Sequence, residues 1–245
     1  MIVIVGSRHD PEVTRLRDLC APSDARLLSC EDLSRDGWIM RDTSPDSAVV
    51  EKKLICVADI DGIVVRRSQI YPSELGHIIA RDRAYVACEM TAFLVHWLRC
   101  LACPVVNMPS GVCLCGPMWS PFAWTHHAAQ MGIPVVKQTR HGMRDQHRGA
   151  TTEVVMLDGV RVAAQEDTVT SDADIRMSNY TRQLAVSSGA RLLSARFMLS
   201  GGRPHFVGAT PVPPVTQMLA RALQVVITQS SVSRDSPGIG ASNQK

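Results

Sequence analysis

In the run Asp61-Gly62-Ile63-Val64-Val65-Arg66-Arg67, a turn dipeptide leads into three consecutive β-branched residues and then into two arginines. A short continuous apolar run bounded by turn residues suits a strand covered on both faces, as in a parallel sheet. The strand Ile63–Val65 therefore delivers Arg66 and Arg67 at its carboxyl end, where open α/β sheets gather ligands. Upstream, Ile2-Val3-Ile4-Val5 has the same character. The loop Gly6–Pro11 follows it, then a helical pattern from Glu12 to about Leu19, with Asp10 as cap and Pro11 in the first turn. Ala25–Cys30 and Gly37–Arg41 read as further strands, and Ser47–Val57 fits either helix or strand. Downstream, apolar residues recur at helical spacing from Ser73 to about Leu101, with a break near Arg81–Arg83. Pro104 stops that helix, and Val105-Val106 is another buried strand. Trp119–Met131 reads as helix, Gly132 as its left-handed cap and Ile133–Val136 as strand.

Beyond residue 135 the pattern changes. Thr152–Leu157 and Val160–Gln165 flank Asp158-Gly159, a two-residue hairpin signal. Asp174–Ser187 is helical, Arg191–Leu199 and His205–Ala209 flank Ser200-Gly201-Gly202-Arg203 as a second hairpin, and Val215–Val226 is a final helix. Residues 229–245 are rich in Ser, Gly, Asn and Gln and read as an unfolded tail. The expected class is α/β, with a parallel-sheet domain over 1–135, a short loop over 136–151 and a small α+β unit of antiparallel hairpins over 152–228.

At 245 residues the chain can bury a sizeable core without disulfides or metals. With 45% apolar and 20% charged residues it is neither a disordered nor a fibrous protein. A net charge of +3 is too small to suggest nucleic acid as partner. Only Lys52, Lys53, Lys137 and Lys245 are lysines. No apolar run reaches the ~18 residues that a bilayer span needs, so no membrane partner is expected. Met1–Gly6 reads as a buried strand rather than a signal peptide, and eight cysteines then suggest reduced thiols in a cytoplasm.

Four segments in order resemble the ATP-grasp superfamily, within it the carboxylate–amine ligases related to RimK-type enzymes and to the macrocyclising ligases of microviridin pathways. They are Asp61–Arg67, similar to a strand ending in paired arginines; Arg83–Pro109, with Glu89 on a long helix before Val105-Val106-Asn107-Met108-Pro109; Trp124–Val136; and Ala185–Pro213, similar to the closing helix and hairpin. The resemblance implies a pre-ATP-grasp-like N-terminal domain and a reduced ATP-grasp C-terminal domain. It also implies Arg66, Arg67, Glu89 and Asn107 as ligand-binding candidates.

ATP-grasp ligases activate a carboxylate as an acyl phosphate, using magnesium held by carboxylates. The resemblance places the metal ligands on the last hairpin: an Asp on its first strand and Glu-x-Asn on its second. Here Arg196 stands near the Asp position, Gly208 at the Glu and Thr210 at the Asn. The family's nucleotide-clamping lobe is reduced to about Lys137–Thr151, with Arg140, Arg144 and Arg148 as its phosphate-attracting residues. The expectation is a protein that has lost autonomous ligase activity. It would bind or scaffold beside a full-length ligase or other modifying enzyme, as a homo- or hetero-oligomer. No cofactor is expected; ATP and magnesium belong to the alternative reading, an active carboxylate–amine ligase with an atypical site. A third reading is a binder of a peptide or small anionic ligand through Arg66 and Arg67, helped by Ser68, Gln69 and Tyr71. Their structural alternative is pairing with Glu74 or Glu89.

Other groupings carry weaker signals. Cys100, Cys103, Cys113 and Cys115 have the ligand types for zinc, but the spacing is atypical and buried apolar thiols are the default. Cys100 with His96 is a nucleophile and base candidate. His126-His127 cannot chelate together on one helix, and His141 and His147 lie in a loop. Gly6-Ser7-Arg8-His9 is no dinucleotide fingerprint, and Trp97, Trp119 and Trp124 read as core.

Overall fold

The computed structural model describes residues 1–41, 44–136, 150–162 and 171–235, with side chains to 230. The N-terminal half runs β1 (Ile2–Val5), α1 (Pro11–Cys20), β2 (Ala25–Leu28), β3 (Ile39–Arg41), β4 (Ser44–Val50), β5 (Lys53–Cys56), β6 (Gly62–Val65), α2 (Arg83–Cys100) and β7 (Val105–Val106). The chain continues through α3 (Pro121–Gln130), β8 (Thr151–Leu157), β9 (Val160–Val162), α4 (Asp172–Ser188), β10 (Leu192–Ser200), β11 (Arg203–Thr210) and α5 (Gln217–Asp235).

Strands β2-β1-β6-β7 form one parallel sheet in that order. Its apolar runs are continuous because both faces are covered. Val3, Val5, Ile63 and Val65 pack against Leu94, Trp97 and Leu98 of α2. Ile2, Ile4 and Val64 meet Val13 and Leu16 of α1 and Leu219, Leu223 and Ile227 of α5. Asp10 caps α1 by accepting from Glu12 N, with Pro11 in the first turn, as the sequence predicts. A Cβ on Gly6 would stand 2.6 Å from Val13 Cγ2, so glycine is what lets α1 lie this close to β1.

The second sheet, β11-β10-β8-β9, is antiparallel. Its turn Asp158-Gly159 has φ of +49° and +77°, in agreement with the hairpin expectation. One face is filled by Phe197, Phe206, Leu193 and Met156 against α3 and α4.

The structure departs from the sequence expectations in four places. Residues 44–56 form a hairpin, β4 and β5, turned by Glu51-Lys52, both at positive φ. With β3 it makes a third, antiparallel sheet. The helix expected from Ser73 begins only at Arg83; before it, Pro72–Glu74 is a single tight turn, and Arg83 Nε holds the following loop by donating to Ile78 O at 2.8 Å. Residues 133–136 add no strand to the parallel sheet: Val135 bridges Phe206 of β11, and α3 packs on the second sheet through Trp124 and Ala128. Finally, α5 extends to Asp235, well into the expected tail, although the last of its described side chains to be buried is Ile227, in the cluster shared with α1 and the parallel sheet. The rest of the tail, Arg140, His141, Arg144, His147, Arg148 and the end of the strand expected at Val160–Gln165 lie outside the described residues.

Candidate functional site

Arg66 and Arg67 leave the carboxyl end of β6, as the sequence predicts, beside the loop that follows β1. Alternation along the strand sends them to different partners. Arg67, 6% exposed, is fully engaged: Nε donates to Gln69 O at 2.9 Å, Nη1 to Gly6 O at 3.2 Å and Nη2 to the Glu74 carboxylate. Glu74 also accepts from Tyr71 N at 3.1 Å. Burial opposes ionisation of Glu74, but the Ser7 hydrogen bond and the Arg67 charge prevail and hold its carboxyl below the ordinary range. Arg67 is thus a structural cation, and the pairing with Glu74 is the one found.

Arg66 is different. It is 7% exposed, and Nη1 donates to Pro213 O at 2.6 Å, but Nε has no partner. Desolvation lowers its pKa, and Asp10, Glu12 and Cys115 act on it only through space. A cavity of about 240 Å³ opens beside it, lined by Ser7, Ser68 and Tyr71, by the carboxylates of Asp10 and Glu74, and by Arg67 as well as Arg66. The Ser68 and Tyr71 hydroxyls are 2.9 Å apart at its wall. A buried cation with an unused donor, next to hydroxyls, can accept a carboxylate or another small anion.

Two of the ligand candidates lie elsewhere. Glu89 is exposed on α2 and lines a separate cavity with Trp38 and Phe93, so it neither pairs with Arg66 or Arg67 nor shares their cavity. Asn107, 1% exposed, offers no free amide group. Its Oδ1 accepts from Leu192 N at 2.8 Å, and its Nδ2 donates to Leu192 O at 2.9 Å and Pro211 O at 3.3 Å. It fastens the parallel sheet to the second sheet. The peptide before it is cis, and Gly116 packs so closely that a Cβ there would lie 2.8 Å from Asn107 Cβ.

On the second sheet, Arg196 of β10 stands opposite Gly208 of β11. A Cβ on Gly208 would sit 3.7 Å from Arg196 Nη2, so the guanidinium lies over the glycine. The Thr210 hydroxyl accepts from Val212 N at 3.2 Å. On its other side Arg196 is in register with Glu153 of β8, whose carboxylate accepts from Ser194 Oγ. Glu153 lies on β8, outside the last hairpin to which the resemblance assigns the metal ligands. Period-2 alternation over Thr151–Leu157 sets it apart from buried Val154 and Met156, but only the pairing of β8 with β10 brings it to Arg196. One carboxylate beside a guanidinium is a poor seat for magnesium, which takes hard oxygen ligands. Among the described residues no three His, Cys, Asp or Glu side chains are placed to hold a metal ion.

The remaining groupings separate as well. The four cysteines weighed as zinc ligands do not converge among the described residues. Cys113 and Cys115 are in sulfur–sulfur contact at 3.5 Å, whereas Cys100 lies against the His96 ring at 3.7 Å. His127 Nε2 is 2.8 Å from Ser187 Oγ. Trp97 packs on Trp38, apart from the Trp119–Trp124 pair. Arg8 of the first loop pairs with Glu31 at 3.2 Å.

No protein-family model and no curated protein matches the sequence. Solved structures do match by shape. The ATP-grasp ligase PsnB, complexed with a phosphomimetic variant of a minimal precursor, Mg and ADP, superposes with a TM-score of 0.63 at 12% identity, over 93% of this chain and 98% of that one. The macrocyclase MdnC from Microcystis aeruginosa MRC, bound with precursor peptide MdnA, gives 0.61 at 8% identity, over 91% and 99%. A RiPP-associated ATP-grasp ligase from Chryseobacterium gregarium, in complex with ADP and a leader and core peptide, gives 0.57 at 8% identity, over 96% and 97%. At these identities the likeness speaks for architecture alone: the chain has the fold of the ATP-grasp ligases.

Proposed function

We propose that this chain is an ATP-grasp-fold protein without autonomous ligase activity, which binds a peptide or small anionic ligand and serves as a binding or scaffold partner in a peptide- or amino-acid-modification or cofactor-biosynthesis pathway. The observation that carries the reading is the guanidinium of Arg196 lying over Gly208 on the strands whose residues resemble the family's metal positions. A cation there opposes the divalent ion that γ-phosphoryl transfer needs. The Arg66 cavity supplies the ligand site. Structural neighbours complexed with precursor peptides support a peptide as ligand. Eight cysteines in a chain this size fit a reducing compartment. The proposal includes a homo- or hetero-oligomer, the latter with a full-length ligase or other modifying enzyme.

The test is thermal denaturation with Mg-ATP. Unchanged melting is expected. Stabilisation that grows with nucleotide concentration as RT ln(1 + [L]/Kd) would overturn the reading. It would favour the alternative, an active carboxylate–amine ligase with an atypical site, for which Glu153 is the favouring observation. In that case Glu153→Gln removes the stabilisation.

A further inference from the structure

The loop between β7 and α3 holds a feature that the proposed ligand site does not use. Cys113 and Cys115 are 5% and 0% exposed, and their sulfurs touch at 3.5 Å. The intervening Leu114 N donates to Ser68 O at 2.8 Å, and Ser110 N donates to Cys113 O at 2.9 Å. The loop is therefore pinned at Cys113 and between the two cysteines, and the sulfurs are held together before any bond forms. We propose that Cys113 and Cys115 are a thiol–disulfide site, oxidised by a peroxide-class oxidant and restored by a thiol reductant.

The chemistry needs one thiolate and one resolving thiol. Cys113 is the thiolate. The two sulfurs share a proton across their contact, and this draws the Cys113 pKa below the ordinary thiol range. Cys115, dominated by that same shared proton and by burial, is pushed up and keeps its hydrogen. The Cys113 sulfur attacks one peroxide oxygen, the O–O bond breaks, and a sulfenic acid and hydroxide result. The Cys115 sulfur then attacks the Cys113 sulfur, the S–O bond breaks, and water leaves with the Cys115 proton. Two thiols and one hydrogen peroxide thus give one disulfide and two waters, a two-electron oxidation. Of the residues flanking the pair, Arg66 is the charged group whose field reaches Cys115.

The full chain, reduced and freed of reductant, is treated with limiting hydrogen peroxide, blocked with iodoacetamide and weighed intact. The expected product has lost two hydrogen masses and two alkylation sites, and dithiothreitol restores both. Cleavage by trypsin leaves Cys100, Cys103, Cys113 and Cys115 on one peptide, so tandem fragmentation of the wild-type peptide locates the bond between 113 and 115 without any variant. Cys113→Ser and Cys115→Ser should each abolish the product, whereas Cys100→Ser should retain it. The proposal is overturned if the peptide stays fully alkylated, if the bond joins Cys100 to Cys103, or if the mass loss persists in Cys113→Ser.

Discussion

Replacing Arg66 with methionine separates a cation kept for binding from one kept for structure. The substitution removes the hydrogen bond to Pro213 O, a bond from a charged donor worth about 1.5–3 kcal/mol. It also removes an ion that is 7% exposed, has no carboxylate in contact and leaves Nε unpartnered. The effective penalty of burying such an ion is several kcal/mol, on the order of the bond it makes or above it. The unliganded variant is therefore expected to melt within a few degrees of the wild type or above it, since about 1 kcal/mol moves Tm by roughly 2–4 °C in a chain of this size. Arg67→Met is the internal control. It breaks a pair with Glu74 whose side chains are 5% and 14% exposed, and the expected cost is about 3–5 kcal/mol, because a buried carboxylate is stranded. Urea denaturation followed by tryptophan fluorescence measures both. Free glutamate and inorganic phosphate serve as probes of the anion site. At about one hundred times Kd, either should add about 2.7 kcal/mol to the wild type, and Arg66→Met should gain nothing. The reasoning fails if Arg66→Met is destabilised as much as Arg67→Met, if both respond equally to the anions, or if neither anion stabilises the wild type.

Asn107→Ala should cost about 2–4 kcal/mol in urea unfolding, since it deletes three buried hydrogen bonds and leaves Leu192 N unpaired. Gly62→Ala should cost about 1–3 kcal/mol by the same assay, because the new methyl would meet Ile227 Cγ2 at 2.8 Å and push α5 off β6. The Glu74 carboxyl is depressed in the folded chain, so its contribution to stability is complete above the ordinary glutamate pKa of about 4.3 and is lost as pH falls from there through the folded value. Glu74→Gln should flatten that acid-side fall in a pH series of melting temperatures. Arg196→Asp sets a second carboxylate directly across the ladder from Glu153; calorimetry should then show magnesium stabilising the variant and leaving the wild type unchanged, and a wild-type response to magnesium would refute the account of this surface.

The parts of the fold that were legible in the sequence are those set by local physics. Ile2–Val5 and Ile63–Val65 read as buried parallel strands because covering both faces leaves no polar alternation, and Asp10-Pro11 reads as a helix start because cap and fixed φ act within one turn. The hairpin at Glu51-Lys52 was not legible: two long charged residues occupy positive φ that Asn-Gly would announce, and tertiary pairing of β4 with β5 overrides the preference. The helix pattern from Ser73 failed for a related reason, since Leu75 is buried by the loop itself and not by a helix face. At the site, position along the chain gave Arg66 and Arg67, but only three-dimensional pairing tells them apart. Glu153 was hidden because a carboxylate in an alternating strand looks solvent-facing until the next strand supplies a guanidinium.

The segment from β11 to α5 shows how the site is tied to the scaffold. Three side chains of the parallel layer grip its main chain in sequence: Asn107 holds Pro211 O, Arg66 holds Pro213 O, and Glu12 accepts from Val215 N. Two of these are ordinary fastenings, made by groups with no remaining role in a cavity. Arg66 holds the connector through Nη1 and also lines a cavity with Val212, while its buried Nε has no partner. A scaffold built this way keeps its two layers in register through Asn107 and Glu12, independently of the side chains that Arg196 and Glu153 present on the second sheet.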